Sequence, residues 1–190
     1  METCQTALKE WAVVVDALQR GDQILLLRKG GILDVGGEFS LEAERFCLWP
    51  TYLHQEADWL AADHQHRLAP ILAQPREADA YTIASFAEVT DILAVPSREQ
   101  LDALAGEHVW SSEYLDMRWR YRPELPLYLL LLRVHHLGEP VVLRETVQQR
   151  GCKSWVDLDP PVALGGLAPV LSDPDHARRR ALVKSVLQVR

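Results

Sequence analysis

The chain has 190 residues, 48% of them hydrophobic and 25% charged, which suits one packed core and excludes a wholly disordered chain. A formal net charge of -7 argues against a general coat for nucleic acid, since duplex affinity rests on phosphate contacts, but leaves room for a local pocket. Cys4, Cys47 and Cys152 are widely spaced with no CxxC, which predicts a reducing compartment rather than a disulfide framework.

The N-terminus, METCQTALKEW, carries early charges and no apolar run, so it does not read as a signal peptide. Apolar groups at Leu8, Trp11, Ala12, Val15 and Leu18 recur at helical spacing, which predicts a helix over 6–19, capped by Thr6 and stopped at Gly21. The run QILLL then predicts a buried central strand over 23–28, leading into Arg28-Lys29-Gly30-Gly31. Residues 32–45 read as a turn or loop. Residues 45–49 (RFCLW) read as a strand closed by Pro50.

Residues 54–73 predict a helix carrying Trp59, Leu60 and Leu68. Residues 81–95 read as one or two strands, ended by Pro96. Ser97 caps a short helix, SREQLDALAG. Residues 113–122 hold alternating aromatics and charges. The strongest strand is 127–135 (LYLLLLRVH), expected to share a sheet with 23–28, and 141–143 extends the pairing. Its apolar stretch is far too short to span a bilayer, so the expected setting is cytoplasmic, with no membrane partner. Residues 150–158 form a turn and a strand. The composition changes after Pro160-Pro161, which divides the chain into a single α+β domain over 1–160 and a Pro/Gly linker with an exposed basic helix over 161–190.

Four blocks now stand in order: ALKEWAVVVDALQRGDQILLLRKGGI, FCLWPTYLHQ, LYLLLLRVHHLGEPVVL and GCKSWVDL. Together, over roughly residues 7–158, they resemble the bacterial family known as domain of unknown function 1802. That family is noted beside Mrr-type endonuclease domains, so the resemblance implies a restriction or defence setting with an endonuclease subunit as partner. The order of a Gly21-led turn, the strand ending at Arg28, and the later long apolar strand is also similar to PUA-like ASCH domains. The implied fold is α+β, with a curved, mixed, mostly antiparallel sheet or a small PUA-like β-barrel and flanking helices. In ASCH enzymes a catalytic Lys and Thr occupy positions that correspond here to Gln23 and Leu26, neither of which can do acid–base work.

Three blocks concentrate groups that hold ligands. Arg28 and Lys29 offer cations for phosphate, and Gly30 and Gly31 allow close backbone approach. Trp49, Thr51, Tyr52, His54 and Gln55 combine rings that stack on a base with groups that read its edge. Lys153, Ser154 and Trp155 repeat the pattern beside Cys152. Each block also has an ordinary structural reading: a solvated turn, a core Trp with a helix-capping His, a core Trp with a surface Lys. The functional reading requires all three to line one concavity. His64 with His66 and His135 with His136 lack a third ligand at metal-site spacing, so no metal and no cofactor is expected, and no catalytic residue is assigned. Arg178, Arg179 and Arg180 form a basic strip open to an acidic partner.

The first functional reading is therefore a nucleic-acid-associated module that recognises a base, modified or not, of DNA, RNA or a nucleotide. The alternatives are a modified-nucleoside amidohydrolase on an ASCH-like barrel, and a non-catalytic subunit that docks a protein through the C-terminal helix.

Overall fold

The computed structural model describes residues 2–29, 41–151 and 153–189. In chain order the strands and α-helices are β1 (Thr3–Trp11), α1 (Ala12–Arg20), β2 (Leu25–Arg28), β3 (Arg45–Thr51), α2 (Ala62–Leu72), β4 (Ala80–Ala94), α3 (Arg98–Asp102), α4 (Ser112–Arg120), β5 (Tyr128–Arg144), β6 (Trp155–Ala163), β7 (Ala168–Pro169) and α5 (Asp173–Val186). The sheet runs β2-β5-β4-β3-β1-β6, and β7 pairs with β5. Among the described strands only β1 and β3 run parallel. The end strands β2 and β6 do not pair, so the α+β fold is an open mixed sheet rather than a closed barrel.

The expected helix over 6–19 begins only at Ala12; residues 6–11 belong to β1. A register shift between Cys4 and Thr6 breaks the alternation of β1, so its period of two is hidden and the helical spacing of α1 seems to extend backwards. Gly21 does stop α1: it is left-handed at φ 73, and its N–H donates to the Leu18 carbonyl.

The apolar runs explain the strand burial. In β3, Phe46 and Leu48 enter one core while Cys47 and Trp49 enter a second on the other face. A strand buried on both sides has no polar face to reveal its period. Pro50 lies inside β3 rather than closing it; β4 pairs only with Arg45–Cys47, so a missing N–H beyond that point breaks no β3–β4 bond.

The two apolar stretches 127–135 and 141–143 lie on the single strand β5, and 81–95 falls almost entirely on one bulged strand, β4. β2 does pair with β5, Leu25 opposite Leu131, but it sits at the end of the sheet order, not its centre. Its leucines are nonetheless buried. Gln23 helps cover this edge: its Nε2 donates to the Leu25 carbonyl at 2.8 Å, and its Oε1 accepts from Val109 N–H at 3.1 Å.

The C-terminal segment packs on this framework. Val183 and Leu187 are buried in the first core, so the helix is not the exposed one expected. Arg180 clamps it to β4, its Nη2 reaching Asp91 Oδ1 at 2.7 Å, with Lys184 Nζ 3.6 Å from the same oxygen. Burial alone would raise the Asp91 carboxyl, but the bonds from Arg180 and Thr90 and the charges of Arg180 and Lys184 hold it below its ordinary value. A carboxylate depressed in the folded state stabilises fully above its unfolded pKa, roughly 4, and loses that contribution as pH falls through the depressed folded value. Urea midpoints measured from neutral pH into the acid range should therefore fall less steeply for Asp91→Asn than for the parent chain.

Candidate ligand cavity

Three strand ends meet around a cavity of about 500 Å³. β1 and β3 run side by side in parallel, with Lys9 opposite Trp49 and Trp11 opposite Thr51, so the ends of both strands reach the same rim. β2 brings Arg28 to it, and the turn before β6 brings Lys153 and Ser154.

The floor is charged. Arg28 Nη2 meets Glu10 Oε2 at 2.8 Å, and the other oxygen of Glu10 accepts from Trp11 N–H at 2.8 Å. Lys9 Nζ meets Glu145 Oε1 at 2.6 Å, and also donates to the Gln149 carbonyl. Thr51 Oγ1 donates to the Glu10 carbonyl at 3.1 Å. Among the described residues neither Arg28 Nε nor Arg118 Nε, both buried, has an acceptor.

One wall is aromatic. Trp110 and Tyr114 stack at 3.8 Å and 12°. Trp11 meets these two rings edge-on or tilted, at 70° and 59°, and is itself only partly buried. Burial, with a contribution from the Glu10 charge, pushes the Tyr114 phenol up to about 12, against the opposing pull of Arg118 and Arg28. Its hydroxyl therefore stays protonated and is a hydrogen-bond donor at neutral pH. Across the cavity lie Tyr52 and Tyr81, with Arg76 over the Tyr52 ring at 3.9 Å. His54 holds φ 58, a left-handed backbone uncommon for any residue but glycine.

The cavity thus brings together Arg28, Thr51, Tyr52, His54, Lys153 and Ser154 from all three blocks. Other expected residues lie elsewhere. Lys29 turns away beneath α4, its Nζ donating to the Trp119 carbonyl at 2.5 Å and lying 5.7 Å from that indole; burial, then the Arg118 charge, lowers its pKa. Trp49 is fully buried in the second core. Trp155 packs edge-on against Phe46 at 5.0 Å in the first. Gln55 braces the rim from behind, accepting from Val13 N–H at 3.4 Å and donating to the Thr51 carbonyl. Gly30, Gly31 and Cys152 lie outside the described residues.

Sequence reasoning missed Lys9, Glu10 and Trp11, which the expected helix had placed on another element. It also missed Trp110, Tyr114 and Arg118, although spacings of four along the chain would have put them on one helical face. The arginines of the basic strip are paired within the molecule, although Arg178 remains exposed. Arg179 donates to the Gly21 and Asp22 carbonyls and pairs with Glu107, Arg180 holds Asp91, and Arg178 holds Asp175. Among the described residues no three His, Cys, Asp or Glu side chains cluster as metal ligands, and no helix is long and apolar enough to cross a membrane.

Among solved structures, the chain is similar to ASCH from Zymomonas mobilis, with 12% identity, 93% of this chain and 94% of that one covered, and a TM-score of 0.46. A serine-to-alanine mutant of the same protein aligns at 11% identity over 93% and 94%, TM-score 0.46. A tyrosine-to-phenylalanine mutant aligns at 12% over 93% and 96%, TM-score 0.45. No curated protein matches the sequence. The family model described as Domain of unknown function (DUF1802) matches residues 7–181, taking in Lys9, Arg28, the rim of β3, Arg118 and Lys153; the chain belongs to that family.

Proposed function

We propose that the cavity binds one nucleotide unit, free or as an unpaired residue of RNA or DNA, and that the protein is a recognition module rather than an enzyme. The observation that supports this reading is a single cavity in which a partly buried indole, Trp11, stands with two guanidinium groups, Arg28 and Arg118, whose buried Nε atoms have no acceptor among the described residues. A base stacks on the indole and its phosphate takes the guanidinium donors. A volume of about 500 Å³ falls within the range of small-ligand pockets and matches one nucleotide better than a duplex. Thr51, His54 and Ser154 supply hydrogen-bonding groups for a base edge. A restriction or defence setting with an endonuclease partner, expected from the family resemblance, belongs to the same proposal.

Trp11 and Trp110 make the reading easy to test. Titrating nucleotides and short single strands at low salt should quench tryptophan fluorescence. Trp11→Ala should weaken binding by about 1–3 kcal/mol, the usual worth of one base–aromatic stack. Absence of binding to every nucleotide and single strand would remove the proposal.

A further inference from the structure

We infer that the anionic group held in this cavity is a phosphomonoester, the free phosphate of a mononucleotide or the phosphorylated end of a strand, and not an internal phosphodiester. This rests on the nucleotide reading above and adds to it the class of ligand. The support is the charge of the lining. Among the described residues, Lys9, Arg28, Arg118 and Lys153 stand there against Glu10 and Glu145, in a molecule whose net charge is -7. Both carboxylates are engaged, Glu145 by Lys9 and Glu10 by Arg28. Among the described residues Lys153 Nζ donates to a carbonyl, that of Gln148 at 2.8 Å, and pairs with no carboxylate. Arg118 has no carboxylate within ion-pair distance among the described residues.

The lining therefore carries two positive charges beyond its internal pairs. A phosphomonoester brings about -1.5 to -2 near neutral pH, which matches them, whereas a diester brings one negative charge and matches only one of the two. Arg28, Arg118 and the phenol of Tyr114 line the same cavity. The acidic exterior works in the same direction, because each further phosphate of a strand leaving the cavity meets a molecule of like net charge.

Calorimetric titration of the full chain should compare a nucleoside, its 5′- and 3′-monophosphates, ribose 5-phosphate, and one octanucleotide with and without a terminal phosphate. The monophosphates and the phosphorylated octanucleotide should bind about tenfold or more tightly than their unphosphorylated counterparts, the worth of one charge-assisted bond. That advantage should shrink below about pH 6, where the phosphate takes up its second proton. Arg118→Gln should abolish it and Arg118→Lys should restore part of it, with thermal melting showing both variants folded. Equal affinity for the two octanucleotides, with the nucleoside still bound, would overturn the phosphomonoester inference and leave the nucleotide reading standing. Ribose 5-phosphate binding as tightly as the nucleotides would support the phosphate seat and overturn base recognition. Binding of none of them would overturn both.

Discussion

Trp49→Ala is expected to lower unfolding stability by about 3–5 kcal/mol, as truncating a fully buried Trp does elsewhere. The indole has no exposed surface and lies in the second core beside Tyr81, at 5.1 Å between ring centroids. Little around it can close the gap, since β1 and β4 hold its neighbours in strand register. Trp49→Phe should cost much less. It keeps most of the ring and removes an indole Nε1 that is buried without a partner among the described residues, a group that costs stability. Urea unfolding with an unchanged m-value measures both effects. The same variants separate a core role from a ligand role: Trp49→Phe should leave nucleotide affinity within about twofold. A stable Trp49→Ala protein that had lost binding would return Trp49 to the site.

Removing Lys9 should be comparably severe. Its side chain is 8% exposed and that of Glu145 15%, and Lys9 also supplies the Gln149 carbonyl and lies 5.8 Å from the Trp49 ring. Lys9→Met leaves the Glu145 carboxylate enclosed without its cation, which typically costs about 3–5 kcal/mol. The double variant Lys9→Met with Glu145→Leu should recover much of that loss, because an apolar pair of similar volume carries no desolvation penalty. A double-mutant cycle reads the coupling directly. Additive losses would show that Lys9 acts mainly through its packing on Trp49 and not through the ion pair.

These two residues also show where sequence reading reached and where it stopped. Trp49 and Lys9 are paired across β1 and β3, yet the residue singled out for binding is core and the one passed over lines the cavity. In-register partners on adjacent strands point to the same face of the sheet, so pairing and face together do not separate the buried indole from the cavity-lining ammonium. An apolar strand such as β3 carries no polar alternation to show which side is which. In β1 a bulge erased the alternation altogether.

What the sequence by itself determined is local and short-range: the Gly21 stop of α1, the Ser97 cap accepting from Gln100 N–H, the apolar strands β2, β3 and β5, and the pairing partner of β2. It also singled out three blocks rich in ligand-holding groups, six of whose residues share the cavity. These properties follow from backbone preference and from which segments must leave water. Only the tertiary structure decided the rest. Sheet order placed β2 at an edge, the parallel register of β1 and β3 carried Lys9 and Glu10 to the rim, and α4 with the residues just before it supplied the stacked Tyr114 and Trp110. It also decided which arginines are paired. Arg179 and Arg180 found carbonyls and carboxylates far away in the chain, and Arg118 met no carboxylate among the described residues. The physical reason is that an ion pair depends on distances between segments remote in sequence, and no local pattern encodes those.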